Sequence, residues 1–463
     1  MGPTKTARTI SQEAFDEVVR ENMEELGMDP TEALQDAIDT LTLQGVDLSG
    51  IVKCVPGEGG VKENPAIQCL DRLKQLNDSN DRFCNEDLDE MERLFDRLME
   101  LCGTKESQNA AIVTKNGGVE LACSICAKIP SGNQVLVSCL RTMALLLNDI
   151  QSTERFRASD GPSVVVHILS DGCKNLEILN NGFAVVAVAS TGNEVVKQSF
   201  MELKVDELIL QVLSEQEKGN IQSLYDAIRV LLTSDDNRVV ASQVYGYARR
   251  FAKIGIARAL VDSLHARLSS PGLVSASIAL KAVAVNDEIC KSIADGGGID
   301  VLLKCLDDGC EQDNKTVVRT CCSLLSKLAG SDSNKSAIVE KGGMERLIKL
   351  STRFSDDPSV LQEVMSLISV LCLRSPENAA RAIEAGAGDL AIQAMERFPA
   401  AQQMQRNSCL MIRNLVVRNP ENRNLLLNNG IDKFIRNAKD NHQSCKDAAM
   451  DALRDLGLDD YNS

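Results

Sequence analysis

The chain predicts an all-α fold: a solenoid of about eight to nine stacked three-helix repeats behind an N-terminal helical pair. Three observations predict it. A glycine-marked corner recurs along most of the 463 residues at a nearly constant interval. Between corners, apolar residues follow helical spacing, with no β-rich segment of comparable length. Hydrophobic residues reach 44% while aromatic residues are 3% and Trp is absent, so the core is built from aliphatic and small side chains. That composition suits close helix packing and fits poorly with an all-β sandwich.

The first element is a helix capped by Thr9 or Ser11, with Phe15, Val18, Val19, Met23 and Leu26 along one side. Asp29-Pro30-Thr31-Glu32 starts a second: Asp29 as N-cap, Pro30 in the first turn, Glu32 completing a capping box. Leu34, Ala37, Ile38 and Leu41 form its apolar stripe. We place this N-terminal helical segment at residues 1–53. Residues 54–66, CVPGEGGVKENPA, have the Gly, Pro and charge content of a linker. Residues 67–463 form the repeat array.

The stretch VEKGGMERLI, Val339–Ile348, defines the corner. Aligned on its fifth residue, the matching positions are Gly118, Pro162, Lys204, Gly255, Gly298, Gly343, Ala387 and Gly430, spaced 44, 42, 51, 43, 45, 44 and 43 residues apart. Each unit carries a short helix such as Asn334–Glu340, a corner where glycine can take positive φ, a second helix from Met344, and a longer third helix such as Val360–Leu373. The period, the short first helix and the corner glycine predict an armadillo-type right-handed α–α superhelix. Packed at 8–10 Å per layer it forms a rod of roughly 80 Å, with the long helices on a concave face.

RTISQEAFDEVVRENMEELGMDPTEALQDAIDTLTLQGVDLSGIVK, with MIRNLVVRNPEN and ALRDLG near the end, resembles the armadillo repeat-containing protein 6 family over about Arg8–Gly457. The resemblance implies an α-solenoid with no assigned catalytic activity.

The net charge is −16, of which residues 1–110 contribute −13. There is no overall basic excess of the kind a nucleic-acid binder shows. The 16 cysteines lack disulfide-scaffold spacing and no secretory signal is seen, which predicts a reducing compartment, cytoplasm or nucleus. No apolar run reaches the roughly 18 residues of a membrane span. MGPTKT offers Gly2 and Thr6 as a formal myristoylation pattern, which Pro3 argues against.

No catalytic, cofactor-binding or metal site is expected. Cys123 and Cys126 form a lone CxxC without a second pair, and His167, His265 and His442 are scattered, whereas a structural zinc site needs about four converging ligands. These cysteines, and the pair Cys321–Cys322, are read as small core hydrophobes. The glycine clusters Gly57–Gly60, Gly296–Gly298 and Gly386–Gly388 lack the phosphate-loop form. Two places are candidates for partner binding. Tyr245, Tyr247, Arg249 and Arg250 lie in the long 51-residue interval, after Asp235, Asp236 and Arg238; Tyr and Arg anchor interfaces, and the alternative is a longer helix packed on the next repeat. Arg413 and Asn414 lie in MIRNLV, where Asn414 either grips a peptide backbone or bonds a neighbouring repeat. The predicted function is a non-catalytic scaffold holding a protein or extended peptide, with neither nucleic acid nor membrane as partner. An importin-type transport adaptor is disfavoured by the missing Trp/Asn ladder and the acidic N-terminus. An enzyme with an unrecognised site has no feature in its favour.

Overall fold

The computed structural model describes residues 8–56, 64–79, 83–103, 108–171, 175–215, 221–235, 241–265 and 270–458. Gly2, Pro3, Thr6, Gly57–Gly60, Asp236 and Arg238 lie outside the described residues. The chain forms two compact units. One comprises residues 1–208 with 234–239, the other residues 209–233 with 240–463.

The first unit opens with a short strand β1 (Arg8–Thr9) and helices α1 (Gln12–Glu24) and α2 (Pro30–Leu43), followed by β2 (Val46–Asp47), which pairs in parallel with β1. Ser11 is the N-cap of α1, accepting from the Ala14 amide. Asp29 caps α2 by accepting from Thr31 N–H and Thr31 Oγ1; the expected capping box with Glu32 gives way to this closer donor. Phe15, Val19, Ala33, Ala37 and Leu41 are buried together with Leu48 and Ile51. Leu26 is 64% exposed, because α1 ends at Glu24 and the turn carries Leu26 off the apolar stripe. This small core docks on the repeats: Lys115 Nζ donates to Ile10 O at 3.2 Å, and Gly50 lies so close to Ala111 O that a Cβ would stand at 3.0 Å.

Helices α3 (Pro65–Ser79) and α4 (Asn85–Cys102) begin the array. Two complete repeats follow: α5 (Asn109–Lys115), α6 (Gly118–Lys128) and α7 (Val135–Leu146), then α8 (Ile150–Ala158), α9 (Gly161–Asp171) and α10 (Leu176–Ser190). The next repeat, α11 (Glu194–Glu202), α12 (Val205–Glu215) and α13 (Gln222–Leu231), contains the division between the units. The second unit continues with α14 (Ala241–Ile254), α15 (Ile256–His265) and α16 (Ser270–Val283), then α17 (Asp287–Asp295), α18 (Gly298–Glu311) and α19 (Lys315–Leu328). It ends with α20 (Asp332–Glu340), α21 (Gly343–Arg353) and α22 (Pro358–Cys372), α23 (Pro376–Ala385), α24 (Ala387–Arg397) and α25 (Gln402–Val416), and α26 (Pro420–Asn428), α27 (Ile431–Asn441) and α28 (Lys446–Asp455). Both strands among the described residues lie ahead of the array, so no strand interrupts a repeat there.

Third helices stack on third helices. In the first unit α4 packs on α7 and α7 on α10; in the second, α13, α16, α19, α22, α25 and α28 pack in succession. Second helices do the same, α3 through α6 to α9 and α15 through α18, α21 and α24 to α27. A third helix that packs between two others therefore buries both flanks; Val318, Cys322 and Leu325 of α19, for example, are fully buried.

The corner glycine pair has two separate jobs, and the residue that takes positive φ is not always the one expected. It is Gly117, Asp160, Lys204, Gly255, Gly297, Gly342, Gly386 and Gly430, spaced 43, 44, 51, 42, 45, 44 and 44 residues apart. In five units this is one or two residues ahead of the aligned position, because the left-handed residue ends the first helix and the next residue already opens the second. That next residue, where it is glycine, is held against the end of the first helix. A Cβ on Gly343 would meet Ile338 Cγ2 and Ile338 O, each at 2.6 Å, and Gly118 and Gly298 are equally confined by Val113 and Ile293.

Candidate partner-binding surface

The repeats are wired by polar side chains that the apolar pattern does not reveal. An asparagine near the start of the first helix reaches back to the end of the preceding third helix. Asn109 Nδ2 donates to Leu101 O, Asn334 to Leu328 O, Asn378 to Leu371 O and Asn422 to Leu415 O, all at 2.9–3.0 Å. Asn334 and Asn422 also donate to Cys290 O and Ala379 O, one repeat earlier. Carbonyls at a helix C-terminus have no partner within the helix, and these amides supply one. A lysine belongs to the same apparatus. Lys197 is fully buried, with Nζ 3.0 Å from Glu194 Oε1 and 2.6 Å from Asp235 Oδ2. Its counterpart Lys335 pairs with Asp332 and donates to Leu373 O. Both lysines stand seven residues before the positive-φ residue and three after an acid, so the pattern acid-x-x-Lys at that place was a readable signal.

Of the residues proposed from sequence, Asp235 is engaged with Lys197, and also accepts from Gly192 N–H. Tyr245, Tyr247, Arg249 and Arg250 fall on α14, a first-position helix of 14 residues where other first helices have 7 to 10. Tyr245 is 48% exposed and Arg249, one turn on, is exposed beside it. The Tyr247 hydroxyl accepts from Gln243 Nε2 at 2.7 Å, and Arg250 is half-buried. Arg413 and Asn414 fall on α25, a third-position helix two repeats further along than α19; the structure does not bring them together with the α14 group. Arg413 is paired with Asp451 at 3.1 Å and Asp455 at 3.2 Å. Asn414 Nδ2 donates to Ser369 O and Ser369 Oγ, both at 2.9 Å, on the neighbouring third helix. Asn407 makes the same kind of tie to Gln362 O.

Cys123 and Cys126 are buried in α6, and Cys126 Sγ lies 3.1 Å from Cys139 Sγ of α7. Burial pushes the Cys123 and Cys139 thiols well above their usual range. Cys321 and Cys322 are buried in α19. Among the described residues, no three His, Cys, Asp or Glu side chains converge as metal ligands, and no helix is long and apolar enough to cross a membrane.

The open surface of the second unit carries shallow clefts on two sides. Clefts of about 440 and 390 Å³ lie between second helices, at Ile348, Asp389 and Arg397 and at His265, Lys304 and Cys305. A groove of about 360 Å³ runs over the third helices α16, α19 and α22, past Val274, Ile278, Lys281, Arg319, Thr320 and Glu363.

Residues 72–460 match the ARMC6 family, and residues 7–80 match the armadillo repeat-containing protein 6 N-terminal domain. Human Armadillo repeat-containing protein 6 is 27% identical over 396 residues, covering 81% of this chain and 77% of that protein. The Drosophila melanogaster homologue is 24% identical over 384 residues, covering 82% and 80%. Among solved structures, an engineered protein superposes with a TM-score of 0.64 at 16% identity, covering 85% of this chain and 99% of that one. A β-catenin structure, from a study of a phosphorylation switch in the cadherin–β-catenin interaction, gives a TM-score of 0.60 at 14% identity, covering 85% and 78%.

Proposed function

We propose that this chain, which belongs to the armadillo repeat-containing protein 6 family, is a non-catalytic scaffold that holds a partner polypeptide along its third helices. The observation that carries the reading is the unbroken succession α13, α16, α19, α22, α25, α28. Helices stacked in this way present their outward side chains as one strip; Ile278, Ser323, Ser366 and Leu410 succeed one another on it at intervals of 45, 43 and 44 residues, each at least partly exposed. A strip of that kind suits an extended chain rather than a compact ligand. The β-catenin fold, in a protein that interacts with cadherin, supports the same use of the architecture. Asn407 and Asn414 spend their amide donors on the solenoid itself, so the partner is held by side chains and not by an asparagine ladder on its backbone. The same commitment, with the absence of Trp, argues against an importin-type adaptor.

Tyr245 and Arg249 on α14 are proposed as a second, separate contact. The fifteen cysteines among the described residues are free thiols, which fits work in the cytoplasm or nucleus. Cross-linking of the full chain to a partner captured from the source cell tests the scaffold reading. Cross-links are expected on the third helices of the second unit, with weaker capture by folded Ile278→Glu/Leu410→Glu and Tyr245→Ala/Arg249→Ala variants. Cross-links confined to the second helices, with capture unchanged, would remove it.

A further inference from the structure

The charge of this protein is not spread evenly over its helices. The whole chain has 50 Lys and Arg against 66 Asp and Glu. Helices α16, α19, α22 and α25, neighbours in one stack, together carry six cations and one carboxylate: Lys281, Lys315, Arg319, Lys327, Arg406 and Arg413 against Glu363. Two of the cations are neutralised, Lys315 by Asp357 and Arg413 by Asp451 and Asp455. Lys281, Arg319, Lys327 and Arg406 have no carboxylate within ion-pair distance among the described residues. Lys281 Nζ instead donates to the Ser323 hydroxyl at 2.7 Å, across the gap between α16 and α19. Four unneutralised cations on α16, α19 and α25 of one stack, in a protein of net charge −16, form a local positive field of the kind that selects an acidic partner.

Resting on the scaffold reading, we propose that the third-helix face of α16, α19, α22 and α25 takes an extended acidic peptide segment with apolar residues between its carboxylates. The dimensions agree. Four helices set 8–10 Å apart span about 30 Å, which an extended chain at about 3.3 Å per residue crosses in some nine residues. The cations stand on α16, α19 and α25, with α22 carrying none, so matching carboxylates fall about three residues apart from α16 to α19 and about six apart from α19 to α25. The floor between the cations supplies the apolar part: Val274 and Ile278 of α16 and Leu410 of α25 are all partly exposed. The Ser277 hydroxyl, next to Ile278 in the groove lining, is fully buried and has no hydrogen-bond partner among the described residues. Glu363, the one carboxylate, accepts from Gln362 Nε2 and sets a local limit on how much negative charge the middle of the face accepts. Nucleic acid is the other polyanion such a field attracts. These four helices contain no aromatic residue on which a base can stack, and that favours the peptide.

The test uses the full chain and three fluorescent twelve-residue peptides of one apolar framework, carrying Glu, Gln or Lys at every third position, together with a single-stranded oligonucleotide. Anisotropy titrations are run between low and physiological salt. The Glu peptide is expected to bind about ten-fold or more tighter than the Gln peptide at low salt, losing most of that margin as salt rises. Lys281→Glu/Arg319→Glu should erase the preference. Each exposed ion pair is worth about five-fold at most, so Lys281→Gln/Arg319→Gln should lower affinity by about ten-fold while leaving helicity unchanged. Cross-linking of the Gln peptide to α16–α25 with no preference for Glu would sink the acidic assignment and leave the scaffold reading standing. No peptide cross-linking to any third helix would sink both. Tighter binding of the oligonucleotide than of the Glu peptide, abolished by the same substitutions, would replace the peptide with a nucleic acid.

Discussion

At Gly343 a methyl group has nowhere to go, since backbone and side chain of Ile338 both stand 2.6 Å from the place it would occupy. Gly343→Ala is expected to cost about 1–3 kcal/mol by overpacking. Trimming Ile338 to Ala should not restore it, because the carbonyl remains. Gly430 differs: nothing lies within 4 Å of its missing Cβ, and its φ of 74° is the only strain. Gly430→Ala should therefore cost only about 1 kcal/mol, the left-handed penalty of an L-residue. Urea denaturation of the two variants separates the two roles; equal losses would show that one explanation covers both. The sequence announced that the pair mattered but not which member did what, since φ and clearance are set by how the first helix meets the second. Cysteine chemistry was more legible. Burial holds Cys102 at about 11, with Cys69 adding to the shift, and lifts Cys372 and Cys409 to about 12. Iodoacetamide at pH 8 should then label exposed Cys84 in the native protein and reach these three only on unfolding, as site-resolved mass spectrometry would show. Native labelling of Cys409 as fast as Cys84 would contradict the burial.

Helix ends, as well as the packed helix bodies, tie one repeat to the next. Asp357 is the N-cap of α22, accepting from the Ser359 and Val360 amides, and it pairs with Lys315 at the start of α19. Burial works to raise its pKa, but the Ser359 hydroxyl, Lys315 and the two amides outweigh it and hold the carboxyl at about 2. A depressed folded value contributes stability above the unfolded value of about 3.9, lost as pH falls toward 2. Asp357→Asn should shrink the drop in stability between pH 4 and pH 2 measured by denaturant titration; an unchanged drop would exclude Asp357 as a contributor. Asn422→Ala should cost about 1–3 kcal/mol, because it orphans Leu415 O and Ala379 O together. Hydrogen exchange in α23 and the end of α25 should rise with it. Helix type and approximate ends were readable from apolar spacing and caps, as α20, α21 and α22 show. The asparagine ties were not, because Asn carries no hydrophobic signal; only the aligned repeats expose its recurring place.

In a stack where each layer rests on its neighbours, damage spreads by adjacency. Leu325→Ala empties a fully buried site in α19, a helix packed on both α16 and α22, and should cost about 2–5 kcal/mol. Hydrogen exchange is expected to quicken in α16, α19 and α22, and far less in α28; uniform acceleration across the second unit would indicate a single cooperative block. The armadillo fold was legible from one number, the interval between corners. The charged face of α16 to α25 was not, because an overall balance of −16 conceals it until residues are sorted by helix position. Four asparagine bonds between repeats of the second unit share one further property: Asn334 to Cys290, Asn407 to Gln362, Asn414 to Ser369 and Asn422 to Ala379 span 44, 45, 45 and 43 residues. A polymer wired at that pitch can grow or shrink by tandem duplication or excision of a whole module, since each new neighbour brings a matching socket. Evolution of such a chain is quantised in length, and an engineer extending its reach would copy about 44 residues at a time.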